Sequence, residues 1–398
     1  MSQAVRQVAA LSICQGLVVI NNIALVALSS LVGYLLASNK AWSTLPATAY
    51  LLGGALTTFP LSFFMKRHGR RAGFLLGAAA GAVGGALCTW GIVIHSFTLF
   101  CVGALISGVY SAAGGFYRFA AADATAAAFR SRAISFVLAG GMIGGILGPE
   151  ASKYTRNLTA TPYAGAYGML IVFVAVAAAI LFFVKLPMPN QAEHHGPRRP
   201  LKRIARQPVF VVACLGAVTS YAVMNLLMGA TPLAMDLCGL SFSASTFVIE
   251  SHILGMFIPA LFAGWLVHRF GALTIMGAGI ALFIVCVAIA LSGQTTLHFW
   301  LSSTLQGVGW CFLYVGATTL LAEAHTPAEK AETQGLNDLC IFVVMVAFSL
   351  VSGAILARLG WSALNLVALP LLLVTGAAVL WLIHTRRGPT APVLVPAK

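Results

Sequence analysis

The sequence predicts an all-α membrane protein, twelve transmembrane helices arranged as two six-helix pseudo-repeat bundles. Three observations lead there. The chain is 60% hydrophobic and 8% charged over 398 residues, a composition that would leave large apolar patches on any protein kept in water. It holds one apolar stretch after another of the roughly 20 residues needed to cross about 30 Å of hydrocarbon at 1.5 Å per residue. Finally, its two halves carry the same short motifs at nearly the same places.

The stretches fall at 10–36, 44–64, 72–94, 97–121, 133–152, 163–185, 208–233, 245–267, 272–292, 297–321, 335–357 and 361–384. The first runs well beyond the apolar core of a signal peptide and lacks a small-residue cleavage site, so it is expected to stay as a span. Arg6 precedes it, and Lys40 separates it from the second. Lys66, Arg67, Arg70 and Arg71 follow the second, Arg130 and Arg132 precede the fifth, and Lys153 and Arg156 follow the fifth. The sixth ends at the longest polar segment, 186–207, which contains His194, His195 and five basic residues and reads as a linker. Bundles are therefore expected at 1–185 and 208–398, the second ending in a short tail. Arg269 precedes the ninth stretch, Lys330 the eleventh, and Arg358 parts the eleventh from the twelfth.

With both termini on one side, only Lys40, Lys153, Arg156 and Arg358 of the 23 basic residues face the other, and Arg118 lies within a span. The positive-inside rule makes the richer side cytoplasmic. The net charge of +14 then reflects topology and attraction to anionic lipid, and gives no reason to expect nucleic-acid binding. The eight cysteines stand singly, without CxxC or zinc-type spacing.

The halves echo one another. Met65-Lys66-Arg67-His68-Gly69 after the second stretch corresponds to Val267-His268-Arg269-Phe270-Gly271 after the eighth, and Ala122-Asp123-Ala124-Thr125 corresponds to Ala322-Glu323-Ala324-His325. Repeated halves in a membrane chain point to a transporter with its substrate site near the midplane between them.

Two patterns suggest a cargo. Met224-Asn-Leu-Leu-Met228 in the seventh stretch and His252-Ile-Leu-Gly-Met256 in the eighth each put two soft ligands on one helix face. Thioether with imidazole suits copper, above all Cu(I). At 1.5 Å per residue Met228 and His252 lie about 9 and 12 Å below the outer end, Met224 and Met256 about 15 and 18 Å, giving two stepped pairs. Met235 near the outer mouth is a candidate to receive the metal first. Cys214 and Cys238 are secondary candidates beside the alternative of plain packing. Pro232 and Pro259 are placed to break their helices beside these sites.

Other polar groups at membrane depth are few. Arg118, Asp123 and Asp338 suggest an inner gate of ion pairs, with snorkelling of Arg118 to the surface as the alternative. Glu150, like Glu250, falls toward the outer end of its helix, where a proton-coupling carboxylate can operate. Asn21, Asn22 and Asn225 align near mid-membrane and are expected to face a central cavity or bond across helices. Enzyme motifs such as His-Glu-x-x-His or Gly-x-Ser-x-Gly do not occur, and nine acidic residues leave little for catalysis.

Across its whole length the chain resembles the major facilitator superfamily (MFS). The loop Arg67-His68-Gly69-Arg70-Arg71 fits the family pattern Gly-x-x-x-Asp-Arg-x-Gly-Arg-Arg, while Ser62 and Lys66 depart from it at the Gly and Asp positions. Gly144-Gly145-Ile-Leu-Gly148-Pro149 is similar to the family's antiporter motif, with close packing and a proline kink as the physical alternative. The Met and His pairs further resemble CcoA-type copper importers of bacterial inner membranes. That resemblance implies copper as transported substrate with no permanently bound cofactor, Met224, Met228, His252 and Met256 as ligands, copper chaperones of cbb3-type oxidase assembly as partners, and a monomer. The alternative is a carrier of an organic solute such as riboflavin, or a proton-coupled drug exporter.

Overall fold

The computed structural model describes residues 3–126, 130–184, 186, 199–326 and 329–387. The expected cytoplasmic residues Lys185, Arg198 and Lys398, and His194 and His195, lie outside the described residues, as do the side chains of Lys66, Arg130, Arg132, Lys330 and Arg387.

Helices follow one another with short links: α1 (Gln3–Leu36), α2 (Leu45–His68), α3 (Arg70–Val93), α4 (Phe97–Ala121), α5 (Arg130–Thr155), α6 (Ala164–Phe183), α7 (Pro208–Leu237), α8 (Phe242–Phe270), α9 (Ala272–Ser292) and α10 (Thr296–Ala322). The last helical segment, Lys330–Arg387, has 58 residues, about 87 Å if straight and far more than a bilayer needs. It is two spans, α11 (330–359) and α12 (361–387), broken at Gly360 with φ 79° and ψ −177°. Only glycine holds that conformation without strain. Gly69 (φ 87°, ψ 157°) and Gly271 (φ 86°, ψ 149°) likewise form the entire links α2–α3 and α8–α9.

α1 is interrupted by a π-helical turn, Ala24–Leu28, just after Asn21 and Asn22. The hydroxyl of Tyr167 on α6 shares a hydrogen bond with Ser29 at 2.9 Å and lies 3.4 Å from the Ala24 carbonyl, so the widened turn is tied to its neighbour.

The two halves pack their helices by the same scheme. α1 lies on α5, α2 and α3 on α4, and α3 on α6; α7 lies on the α11–α12 segment, and α8 and α9 on α10. Glycines allow the tightest approaches. Gly53 and Gly108 bring the backbones of α2 and α4 together, and Gly255 and Gly307 do the same for α8 and α10. A Cβ on Gly255 would stand 2.5 Å from the Thr304 carbonyl oxygen, and one on Gly307 would meet the His252 carbonyl. The Gly144 motif serves packing too: Gly144 faces Gly16 of α1, Gly145 faces Ile253 of α8, and α5 runs on through Pro149.

The halves meet along two seams, α5 on α8 and α2 on the α11–α12 segment. Both lie toward the membrane face remote from the linker, here the far side. Thr44 donates to the Ser349 carbonyl at 2.8 Å, Thr48 to the Ser349 hydroxyl at 2.9 Å, and the Gly353 N–H to Thr44 at 3.2 Å. On the other seam the Arg156 guanidinium sits 4.2 Å from the centre of the Phe242 ring.

On the linker side, ion pairs tie elements within each half. Arg70 pairs with Asp123, and Arg386 with Glu323 at 2.8 Å. Arg199 grips Glu329 with its Nε (2.8 Å), Nη2 (2.7 Å) and backbone N–H (2.8 Å), and the Thr326 N–H adds a fourth bond at 2.9 Å. Arg199 and Gln207 also donate to the Ala324 carbonyl. The second end of the linker is thereby fastened to the α10–α11 loop. Arg199 and these backbone donors hold the Glu329 carboxyl well below the usual glutamate range. A lowered carboxyl stabilises the folded chain above the range in which unfolded glutamate titrates, and loses that contribution as pH falls toward its own value. Glu329→Gln is expected to lower the thermal midpoint at pH 7. The gap to wild type should narrow as pH drops below about 4, as a melting series in detergent would show.

Candidate functional site

α8 and α10 form the better-defined wall at mid-membrane. His252 is 3% exposed, and its Nδ1 lies 2.9 Å from the Ser303 carbonyl, which can only accept. The neutral ring therefore carries its proton on Nδ1 and leaves Nε2 a bare acceptor. One turn away Trp300 Nε1 donates to Ser251 at 2.9 Å. Gln306 of α10, 1% exposed, donates to the Val223 carbonyl at 3.3 Å and reaches that of Met224 at 3.5 Å, tying α7 to the same wall.

Met224, Met228 and Met256 are half-buried. Met228 packs with Ile23 and Ala27 of α1 and with Ile249, Ile253 and Phe257 of α8, an apolar setting. Met235 is fully buried and not at a mouth. α7 breaks at Gly229–Ala230, and its final turns, Thr231–Leu237, fold against the end of α1 and the start of α8. Pro232 begins that separate piece, as the sequence suggested, whereas α8 continues through Pro259 without a break. Cys214 and Cys238 stand 24 residues apart on α7, about 36 Å at helical rise, so they cannot serve one site. Cys214 lies beside Cys340, and exposed Cys238 contacts Gln294 at 3.1 Å. Among the described residues no group of three His, Cys, Asp or Glu side chains is arranged to hold a metal.

The inner ion-pair gate takes a different form from the one expected. Asp123 is engaged by Arg70 of its own bundle, which approaches through both Nε and Nη2. Arg118 on α4 lies over the Phe119 ring at 4.8 Å and within electrostatic reach of Tyr221 on α7, Tyr314 on α10 and Asp338 on α11. Asp338 accepts from Asn337 at 3.3 Å.

These neighbours reveal a cluster that the sequence reading missed. Tyr221, Trp310 and Tyr314 have ring centres 5.1–5.3 Å apart. Trp310 and Tyr314, four residues apart on α10, stack at 20°, and Tyr221 stands perpendicular to both. All three are half-buried, while Thr318 and Thr319, next along α10 toward the linker side, are exposed. The Trp-x-x-x-Tyr spacing was visible in the chain; its meeting with Tyr221 was not.

Asn22 accepts from the Tyr50 hydroxyl of α2. Asn21 and Asn225 turn their amides back to the carbonyls of Leu17 (3.3 Å) and Tyr221 (3.0 Å) on their own helices. A groove of about 610 Å³ between α1 and α5 is apolar apart from Ser12 and contains none of the candidate residues.

Near the far side Glu150 pairs with Lys153 at 3.3 Å and meets Glu250 of α8 across the seam. Glu250 Oε1 is enclosed there.

Twelve spans packed by the same scheme in each half define a membrane protein of two pseudo-equivalent bundles. Residues 11–250 and 213–396 match the Major Facilitator Superfamily, and the chain belongs to that family of membrane transporters. It is 37% identical over 369 residues, 92% of this chain and 93% of the other, to the riboflavin transporter RfnT of Brucella anthropi. It is 25% identical to the uncharacterized MFS-type transporter YdeG of Bacillus subtilis, over 89% of this chain and 87% of that one. Its fold is similar to a bacterial homologue of the human lysosomal transporter Spinster, crystallised in an inward-facing and occupied conformation, with TM-score 0.74 at 14% identity, covering 97% of this chain and 98% of that one.

Two opposed carboxylates repel when both are ionised, and Lys153 offsets only part of that. Glu250→Gln is therefore expected to hold the far side shut more firmly than wild type. The check is the labelling rate of a cysteine that replaces Ser43, a buried residue of like size on the α2–α11 seam whose hydroxyl has no partner, and that rate should fall.

Proposed function

We propose that this chain imports a riboflavin-like organic solute across a bacterial inner membrane by alternating access. The observation that carries the reading is the mid-membrane aromatic cluster of Tyr221, Trp310 and Tyr314 in the second half, with Arg118 of the first within electrostatic reach. An aromatic and polar wall of this kind suits a planar organic molecule better than a bare metal ion. Its 37% identity to a riboflavin transporter, over nearly the whole of both chains, supports the same class of cargo. The basic residues crowd the linker side, so that side is cytoplasmic and both termini are inside. The far-side hydrogen bonds of Thr44 and Thr48 then close the outer entrance, and the exposed Thr318 and Thr319 lie on the path inward.

In cells unable to make or import flavin, the chain is expected to restore growth on micromolar riboflavin and to accumulate radiolabelled riboflavin. No accumulation at verified membrane expression would reject the reading.

A second reading, copper import, rests on half-buried Met224, Met228 and Met256 and on the bare Nε2 of His252. It predicts copper uptake that collapses in Met224→Ala, Met228→Ala, His252→Ala and Met256→Ala. Uptake equal to that of cells without the protein would discard it. Met→Leu changes at these positions conserve volume and are expected to cost under about 1.5 kcal/mol, so they separate loss of ligand from loss of fold.

A further inference from the structure

Two tryptophans of α10 differ in one respect. Trp300 spends its indole N–H on Ser251 at 2.9 Å. Trp310, ten residues on, has its Nε1 shut away from water with no hydrogen-bond partner. A buried donor left unmet is costly, and such a group in a native structure asks for an explanation, which a cargo acceptor would supply here.

The surroundings of Trp310 indicate what would arrive. Tyr314 stacks on it at 20°, and Tyr221 stands on edge to both, so the three form an aromatic corner built from α7 and α10. The edge-to-face contact of Tyr221 with Tyr314, at 5.1 Å between ring centres, fixes the rings against each other. Arg118 brings a planar fork of donors from the other bundle, and Asp338 brings an acceptor from α11. A bare metal ion has no use for an indole N–H donor beside stacked rings. A planar heteroaromatic ring with carbonyl oxygens and an N–H on one edge satisfies all of it, by stacking on the rings and bonding at the edge.

We propose that Tyr221, Trp310 and Tyr314 form the platform on which the heteroaromatic ring of the cargo stacks, with Trp310 Nε1 and Arg118 as donors to its carbonyl edge and Asp338 as acceptor. The assignment rests on the organic-solute reading and adds the residues that recognise the ring. Because Arg118 belongs to the first half and the platform to the second, a bound ring touches both bundles, and its binding energy acts on their relative position.

The test is binding to the purified protein in detergent, read by quenching of riboflavin fluorescence, beside uptake in cells. Wild type is expected to quench saturably. Trp310→Ala should weaken binding at least about tenfold. Trp310→Phe, which keeps a ring and loses the N–H, should weaken it by about three- to tenfold, and Trp300→Phe should leave it unchanged. Trp310→Phe decides the matter if Trp310→Ala does not reach the membrane. Riboflavin bound and taken up equally by wild type and by folded Trp310→Ala and Trp310→Phe would overturn the platform and leave the transport reading standing. If riboflavin neither binds nor enters, yet lumichrome, the bare tricyclic ring, quenches tryptophan fluorescence saturably in wild type and needs about three- to tenfold more ligand in Trp310→Phe, the platform stands and the riboflavin reading falls. No response to either compound would overturn both.

Discussion

Between two helices in hydrocarbon there is no hydrophobic gain to be had over lipid, so what holds them is how closely their backbones approach. In this chain close approaches are made by Gly53 with Gly108 and by Gly255 with Gly307, at corresponding places in the two halves, and by Gly144 with Gly16. Much else hangs on the second pair. With α8 pressed onto α10, His252 reaches the Ser303 carbonyl and Ser251 receives the Trp300 indole. Gln306, one residue before Gly307, is then free to bind α7. The aromatic platform sits on the next turns of this braced helix, which is why its geometry is rigid enough to recognise a shape.

The seams between halves are built on the opposite principle. They combine polar contacts, namely hydroxyl bonds around Thr44, Thr48 and Ser349, a guanidinium on an aromatic face and a carboxylate pair beside a lysine, with apolar ones, Gly145 against Ile253 and Ile23 and Ala27 against Met228 and Ile249. The polar contacts can be exchanged for water as the halves part. Exchanging the halves of the molecule maps the α5–α8 seam onto the α11–α2 seam, so separation at one is mirrored at the other.

Hydropathy and charge placement made the twelve spans and the repeat legible, because a bilayer imposes length and composition on every crossing segment. The break at Gly360 is an example: the sequence divided 335–357 from 361–384, and the glycine falls in the gap between them. The site was less legible. A spacing of four told correctly that Met224 and Met228 share a face, but not that Met228 would be packed against α1 and α8. Asp123 looked available to Arg118 from local distance, yet Arg70, 53 residues away, claims it. Tyr221 and Trp310 are separated by almost ninety positions, and the rotation of α7 against α10 that brings them together depends on Gln306 and on glycine packing. Local pattern carries no record of that rotation.

The single-glycine links have a consequence for how the chain is made. Gly69, Gly271 and Gly360 leave α2–α3, α8–α9 and α11–α12 with no loop at all. Each pair must therefore leave the ribosome and enter the bilayer as one closed hairpin, since neither helix can reverse its orientation while the other stays. The twelve crossings thus reduce to nine independent insertion events, and the basic residues around Gly69 and Gly271 sit at the two bends where holding a hairpin on the linker side decides the topology of everything after it.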